Sequence, residues 1–257
     1  MRANGALPGQ GIYRGGRFAP RRLGGRAELV TLPVILSLPH AGLEVPNLVK
    51  NACRLTRQDI IADGDEGAAA IYDLKNEVSQ FITTPIARAI VDLNRSPDDR
   101  NKDGVVKTHT CWDVPIYDPQ PDRAVIDRLL QTYYYPYHQK LSHPKKDIRF
   151  GLDCHTMAEF APPIEDQPGT RRPSICLSNV NGLTFPDKWM ERFRDLLLEQ
   201  FDIFVQINHP FRGGYIIRRH YHERPWLQVE FSRAAFLPNE EKRKRFLSAL
   251  KLFLNDF

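Results

Sequence analysis

Two histidines and one glutamate stand where apolar runs of this chain stop. His40 follows VILSLP, His155 follows FGLDC, and Glu230 lies inside LQVEF. Imidazole nitrogens and carboxylate oxygens are the donors of hydrolytic metal sites. Catalytic zinc typically takes three such donors and leaves one position for water. Each residue alone also has an ordinary explanation. A histidine after a strand can be a packed, hydrogen-bonded residue, and Glu230 can pair with Arg233. A carboxylate in an apolar strand needs a partner or a function, because burying it bare is costly. For Glu230 that function would be a general base beside a metal-bound water. Asp153, two residues before His155, can fix the tautomer and direction of the ring.

A third donor is open to several acids. The stretch ADGDEGAAAIYD holds Asp63, Asp65 and Glu66 just before a helical run. Acids there are ordinary helix caps, or one of them completes a site with the two histidines. Glu44, in the loop after His40, is a further candidate. Around these residues lie arginines. Arg88 and Arg95 flank AIVDLN, and Arg212 and Arg218 flank Gly213 and Gly214 in FRGGYIIRR. Paired glycines let backbone approach a ligand, and guanidinium forks bind carboxylates in bidentate fashion. Arginines near a metal suit a substrate with one or more carboxylates. Solvated surface arginines are the plain alternative.

Such residues must be carried by a scaffold. Strand-like runs fall at residues 34–38, 81–84, 89–93, 150–153, 174–178, 204–207, 215–217 and 227–231. Helical periodicity falls between them. One helix lies within 56–78, interrupted near Gly64 and Gly67. Another covers 121–141, with Asp122 as cap and Val125, Leu129, Tyr133 and Tyr137 at four-residue steps. Residues 186–200 and 239–255 are amphipathic. This alternation predicts a single α/β domain, a mainly parallel or mixed twisted sheet with helices on both faces. In such sheets ligands sit beyond the C-terminal strand ends. Two long polar segments, 94–121 and 158–173, have the length of functional loops.

Composition narrows the classes. The 257 residues, 42% hydrophobic, suffice for one substantial core. No apolar run reaches the roughly 18 residues that span a bilayer, and no secretory signal is expected at the N-terminus. Cys53, Cys111, Cys154 and Cys176 are widely spaced, with no CxxC pair, and read as reduced thiols of a cytoplasmic protein. The net charge of +5 resides in the start of the chain, where residues 1–26 hold six arginines and no acid. Residues 1–28 therefore read as a flexible basic Gly/Arg-rich tail, and 29–257 as the catalytic domain. Such a tail can contact RNA, but the rest of the chain is close to neutral and carries no nucleic-acid signature.

Seven segments, in order, are SLPHAGLEVP, DEGAAAIYDL, ARAIVDLNR, YYYPYHQKL, GLDCHTM, FRGGYIIRRHY and LQVEFSR. Together they resemble the N-formylglutamate amidohydrolase family, over roughly residues 34–235. The resemblance implies a zinc-carboxypeptidase-like fold, a kinship shared with aspartoacylases. It implies His40 and His155 as zinc ligands and Glu230 as general base. Asp65 becomes the favoured third ligand, ahead of Glu44 and then Asp63. The family usually has a second Asp where this chain has Ala69. The DLNR segment, shared with aspartoacylases, implies that Asn94 and Arg95 hold a substrate carboxylate. Arg212 or Arg218, with Gly213 and Gly214, would serve a carboxylate too, and Arg88 would stabilise the oxyanion. The expected reaction is hydrolysis of an N-formyl or other short N-acyl amide of a carboxylate-bearing amino acid. Manganese or iron suits a His₂-carboxylate site as well as zinc. Competing readings are an aspartoacylase- or carboxypeptidase-like zinc hydrolase, and a non-catalytic binding module with an RNA-contacting tail.

Overall fold

A computed structural model describes residues 31–144 and 148–256. The basic tail and its proposed RNA role lie outside the described residues. The elements begin with strand β1 (Leu32–Leu38), the short helices α1 (Asn47–Lys50), α2 (Arg57–Asp63) and α3 (Ala68–Ile71), and strand β2 (Val78–Thr83). Helix α4 (Arg123–Leu129) runs through a π-helical turn (Leu130–Tyr134) into α5 (Tyr135–Ser142). There follow β3 (Phe150–Met157), β4 (Ile175–Ser178), α6 (Asp187–Phe201), β5 (Val205–Ile207), α7 (Tyr215–His220), β6 (Trp226–Ser232) and α8 (Asn239–Asn255).

One six-stranded sheet has the order β2-β1-β3-β6-β4-β5. Strands β2, β1, β3 and β6 are mutually parallel; β4 runs antiparallel to β6 and parallel to β5. Successive side chains on a strand point to opposite faces. Val34, Leu36, Leu152, Cys154, Val229 and Phe231 therefore share one face, packed with α3, α6 and α8 through Ile71, Phe193 and Phe246. Ile35 and Trp226 lie on the other face with Leu129, Tyr137 and Ile217. Both faces are covered, which is why β1, β3 and β6 are buried almost throughout. The same alternation puts Asp153, His155, Gln228 and Glu230 on the second face.

The chain leaves β1 toward β2 on one side, while β3 lies on its other side. That reversal opens a crevice between β1 and β3 at their C-terminal ends. The loop after β1 is pressed against the segment after β2, with bridges Gly42↔Ala87 and Glu44↔Ile86. A side chain at Gly42 would put its Cβ 2.3 Å from Ile86 O, so only glycine allows this approach.

Two expected strands are absent. Residues 89–93 are buried but turn: Ile90 N and Val91 N both donate to Ala87 O, and Asp92 Oδ1 accepts from Asn94 N. An apolar run without alternation does not distinguish a strand from a buried turn, and the Asp92 side chain decides for the turn. Residues 215–217 form the first turn of α7 instead. Gly213 sits at φ +116°, and Asn94 Oδ1 accepts from Ile216 N at 2.7 Å. That cap comes from a residue 122 positions away and overrides the β-branched local preference. The glycine pair thus precedes a helix rather than a strand. The amphipathic 239–255 helix matches α8, and the break near Gly64 and Gly67 separates α2 from α3.

Candidate metal centre and its cleft

His40 and His155 meet at the crevice, with ring centroids 4.9 Å apart. His40 Nε2 lies 2.8 Å from Asp92 Oδ1, and His155 Nε2 lies 2.9 Å from Asp153 Oδ2. A carboxylate accepts, so each ring carries its proton at Nε2 and presents a bare Nδ1. Both Nδ1 atoms face one oxygen, Asp65 Oδ2, at 3.7 Å from His40 and 3.0 Å from His155. Asp65 is held at the C-terminal ends of β1 and β3: its N–H donates to His40 O, and its Oδ2 accepts from Thr156 N. One donor atom from each of His40, Asp65 and His155 falls within 4.8 Å of the others, all three residues buried. Glu44 is exposed and outside this group. Asp63 is buried but turned away, accepting from Cys111 N at 2.7 Å and pairing with Lys107.

The donor set fits a divalent cation. A neutral imidazole has one N–H, yet both nitrogens of His155 abut carboxylates. The place between His155 Nδ1 and Asp65 requires an added positive charge, a proton or a metal ion. The ionisation directions agree. The Asp153 carboxylate and its hydrogen bond, aided by Asp65, hold the His155 imidazole well above its ordinary range despite burial. For Asp65, burial works toward the neutral acid, but His40 and His155 outweigh it and keep the carboxyl well below its ordinary range.

Glu230 is paired in register with His155 across β3 and β6. Its Oε1 accepts from Gln228 Nε2 at 2.8 Å, and Gln228 Oε1 in turn accepts from Gly214 N at 2.6 Å. Burial, helped by Asp65 and Asp153, pushes the Glu230 carboxyl up to about 7 against the pull of His155 and His40. Arg233 is not its partner; that guanidinium donates to Ala62 O, Gly64 O and Thr156 Oγ1.

A cleft of about 690 Å³ lies over the three donors. Five arginines line it: Arg88, Arg95, Arg172, Arg212 and Arg233. Arg88 donates to Asp92 Oδ2 and Asp63 O, and Arg95 to Asp103. Arg172 pairs with Glu165 and stacks on Phe211. Arg212 has no side-chain partner among the described residues and is exposed in the cleft wall, beside Gly213 and Gly214. Arg218 is not part of the lining; it is exposed and donates to Gly213 O. Asn94 reaches the cleft with its amide already engaged: Oδ1 accepts from Ile216 N, and Nδ2 donates to Asp153 Oδ2 at 3.1 Å.

The structure adds several contributors to the site. Asp92 carried the same signal as Glu230, an acid inside an apolar run. Lys107 is fully buried, 2.7 Å from Asp103 Oδ1 and 3.3 Å from Asp63 Oδ2. Its position in a polar loop offered no clue. Gln228, two residues before Glu230 on β6, is a further contributor through its bond to Glu230.

Comparison with known proteins agrees with this architecture. The sequence model of the N-formylglutamate amidohydrolase family matches residues 32–237. The N-formylglutamate deformylase of Pseudomonas putida is 24% identical over 230 residues, spanning 82% of this chain and 84% of that protein. The solved N-formylglutamate amidohydrolase of Ralstonia eutropha JMP134 superposes with a TM-score of 0.68 at 20% identity, over 87% of this chain and 92% of that one. A solved gene product of Agrobacterium tumefaciens gives 0.65 at 16% identity, over 87% and 88%.

Proposed function

The chain belongs to the N-formylglutamate amidohydrolase family, hydrolases of amide bonds, and from that premise we propose that it removes the formyl, or another short acyl, group from an amino acid bearing carboxylates, such as N-formylglutamate. The observation that carries this reading is the meeting of the His40, Asp65 and His155 donors with buried Glu230 beside them in register.

His40 Nδ1, His155 Nδ1 and Asp65 Oδ2 would hold a divalent cation. Two imidazoles and a carboxylate are a frequent donor set of catalytic zinc, and manganese and iron also accept it. Bound there, such an ion would polarise the acyl carbonyl and bring a water toward ionisation near neutral pH. Glu230 accepts the proton of the attacking water and returns it to the leaving amine nitrogen. Arg88, anchored by Nε and Nη1, turns its remaining N–H groups to the developing oxyanion. Arg212, with Gly213 next to it, meets a substrate carboxylate, and Arg95 lies beside them on the cleft wall, while Gly214 N is taken by Gln228. Asn94 works from behind, holding Asp153 and so His155.

The test is a panel of N-formyl-glutamate, N-acetyl-glutamate and a glutamyl dipeptide, scored by amine release. Turnover should be highest on the formyl compound. Glu230→Gln should lower kcat by about 10²–10⁴-fold with the metal still bound. His40→Ala and His155→Ala should lose the metal. Wild-type turnover in Glu230→Gln overturns the base assignment.

A further inference from the structure

We propose that Gln228 is the positioning residue of Glu230, fixing which carboxylate oxygen is left to take the proton. The inference rests on the reading of Glu230 as general base. Gln228 and Glu230 are two residues apart on β6 and share a face, both nearly buried. A primary amide can be flipped, and its direction is set by its neighbours. Here the neighbour is a main-chain N–H, which only donates. Gly214 N points at Gln228 at 2.6 Å, so that end of the amide is the oxygen. The other end is then the NH₂, donating to Glu230 Oε1 at 2.8 Å. Oε1 faces a donor in every protonation state and holds no proton on that side. No described group donates to Oε2, which is the oxygen left for the proton.

Gly214 is itself held in place. Asn94 Oδ1 accepts from Ile216 N two residues on. A Cβ at position 214 would lie 2.3 Å from Asn94 Nδ2, so the backbone fits against that amide only as glycine. The opposite side of the same amide donates to Asp153, which accepts from His155. The base and the metal-side histidine are thus tied to one backbone segment by two amides, Gln228 and Asn94. A water between them is addressed by an oxygen whose direction follows the main chain.

Two substitutions separate this role from simple space filling. Gln228→Met keeps the volume and removes both hydrogen bonds. Gln228→Glu keeps an acceptor for Gly214 N and can donate to Glu230 only when protonated. The measurement is kcat and KM for N-formyl-glutamate across pH 5–9, with metal content and circular dichroism on each variant. Gln228→Met should lose about 10- to 100-fold in kcat, the scale of one hydrogen bond to a charged group, with KM and metal content within about twofold. Gln228→Glu should lose kcat as pH rises through neutrality, a limb the wild type lacks there. A residue that merely anchors Gly214 predicts near-normal Gln228→Glu at every pH, and that result overturns the proposal. Gln228→Met within about twofold of wild-type kcat overturns it too. Failure of the base assignment is seen separately, as full turnover by Glu230→Gln while Gln228 is intact.

Discussion

Asp92 binds three donors with two oxygens. Oδ1 accepts from His40 Nε2 and Asn94 N, and Oδ2 accepts from Arg88 Nε. His40 and Arg88 outweigh its burial, so its carboxyl is held well below the ordinary range. Asp92→Asn would turn an NH₂ group toward Arg88 or His40 and leave a buried donor unpaired. It should weaken metal affinity by about 10- to 100-fold, measured by competition with a chelator, while the ligand residues remain. An unchanged affinity would refute the orienting role. His138 gives a pH prediction at the same scale. Its Nε2 donates to Leu93 O, and its Nδ1 is 2.9 Å from His220 Nε2. Burial, with His220 next, lowers its pKa from 6.5 to about 3. Between those values the unfolded chain binds more protons than the folded one, so stability rises with pH across the window and is lost as pH falls below about 6.5. From pH 7 to pH 5 the loss due to His138 is about 2 kcal/mol. Urea midpoints at the two pH values should show it, and His138→Gln should lessen the difference. An identical difference in both proteins would assign the effect elsewhere.

Helix α7 shows how an element is specified from outside itself. YIIRR reads as a strand by residue type, and six residues are few for an isolated helix. The Asn94 cap and the turn at Gly213 and Gly214 make it one. Gly214→Ala would force its Cβ against Asn94, moving the cap and the Asp153 contact together. The expected result is a loss of about 1–3 kcal/mol in stability with a drop in kcat in the same variant. Stability and kcat both unchanged would show that Asn94 yields freely. The legible elements were those with their own period. Helix α8 is set by Phe246, Ala249, Leu250 and Phe253 on one face, and the buried strands by alternation. Segment 86–93 was not legible, because buried apolar residues without a period fit a strand or a turn equally.

Across the molecule, the sheet separates a dry face from a working face. On the dry face Phe246 contacts the rings of Tyr72, Phe193 and Phe231 at 5.3, 6.1 and 5.8 Å. Phe246→Ala should cost about 3–5 kcal/mol, measured by urea unfolding; less than about 1 kcal/mol would mean the layer refills the space. Tyr72 links that layer to the site, since its hydroxyl donates to His155 O and bridges toward Val229 O. None of the described helices is long and apolar enough to cross a membrane. The sequence by itself determined the strands β1, β3 and β6 and the polar residues toward their C-terminal ends, because residue type and alternation are local properties. It also narrowed the third donor to three acids. Only the tertiary structure selected Asp65 as the acid beside both imidazoles, supplied Asp92 to His40, and engaged the Asn94 amide with Ile216 and Asp153. The physical reason is distance along the chain. These contacts join residues 90, 52 and 59 positions apart, and no local pattern encodes which distant groups the sheet order brings together.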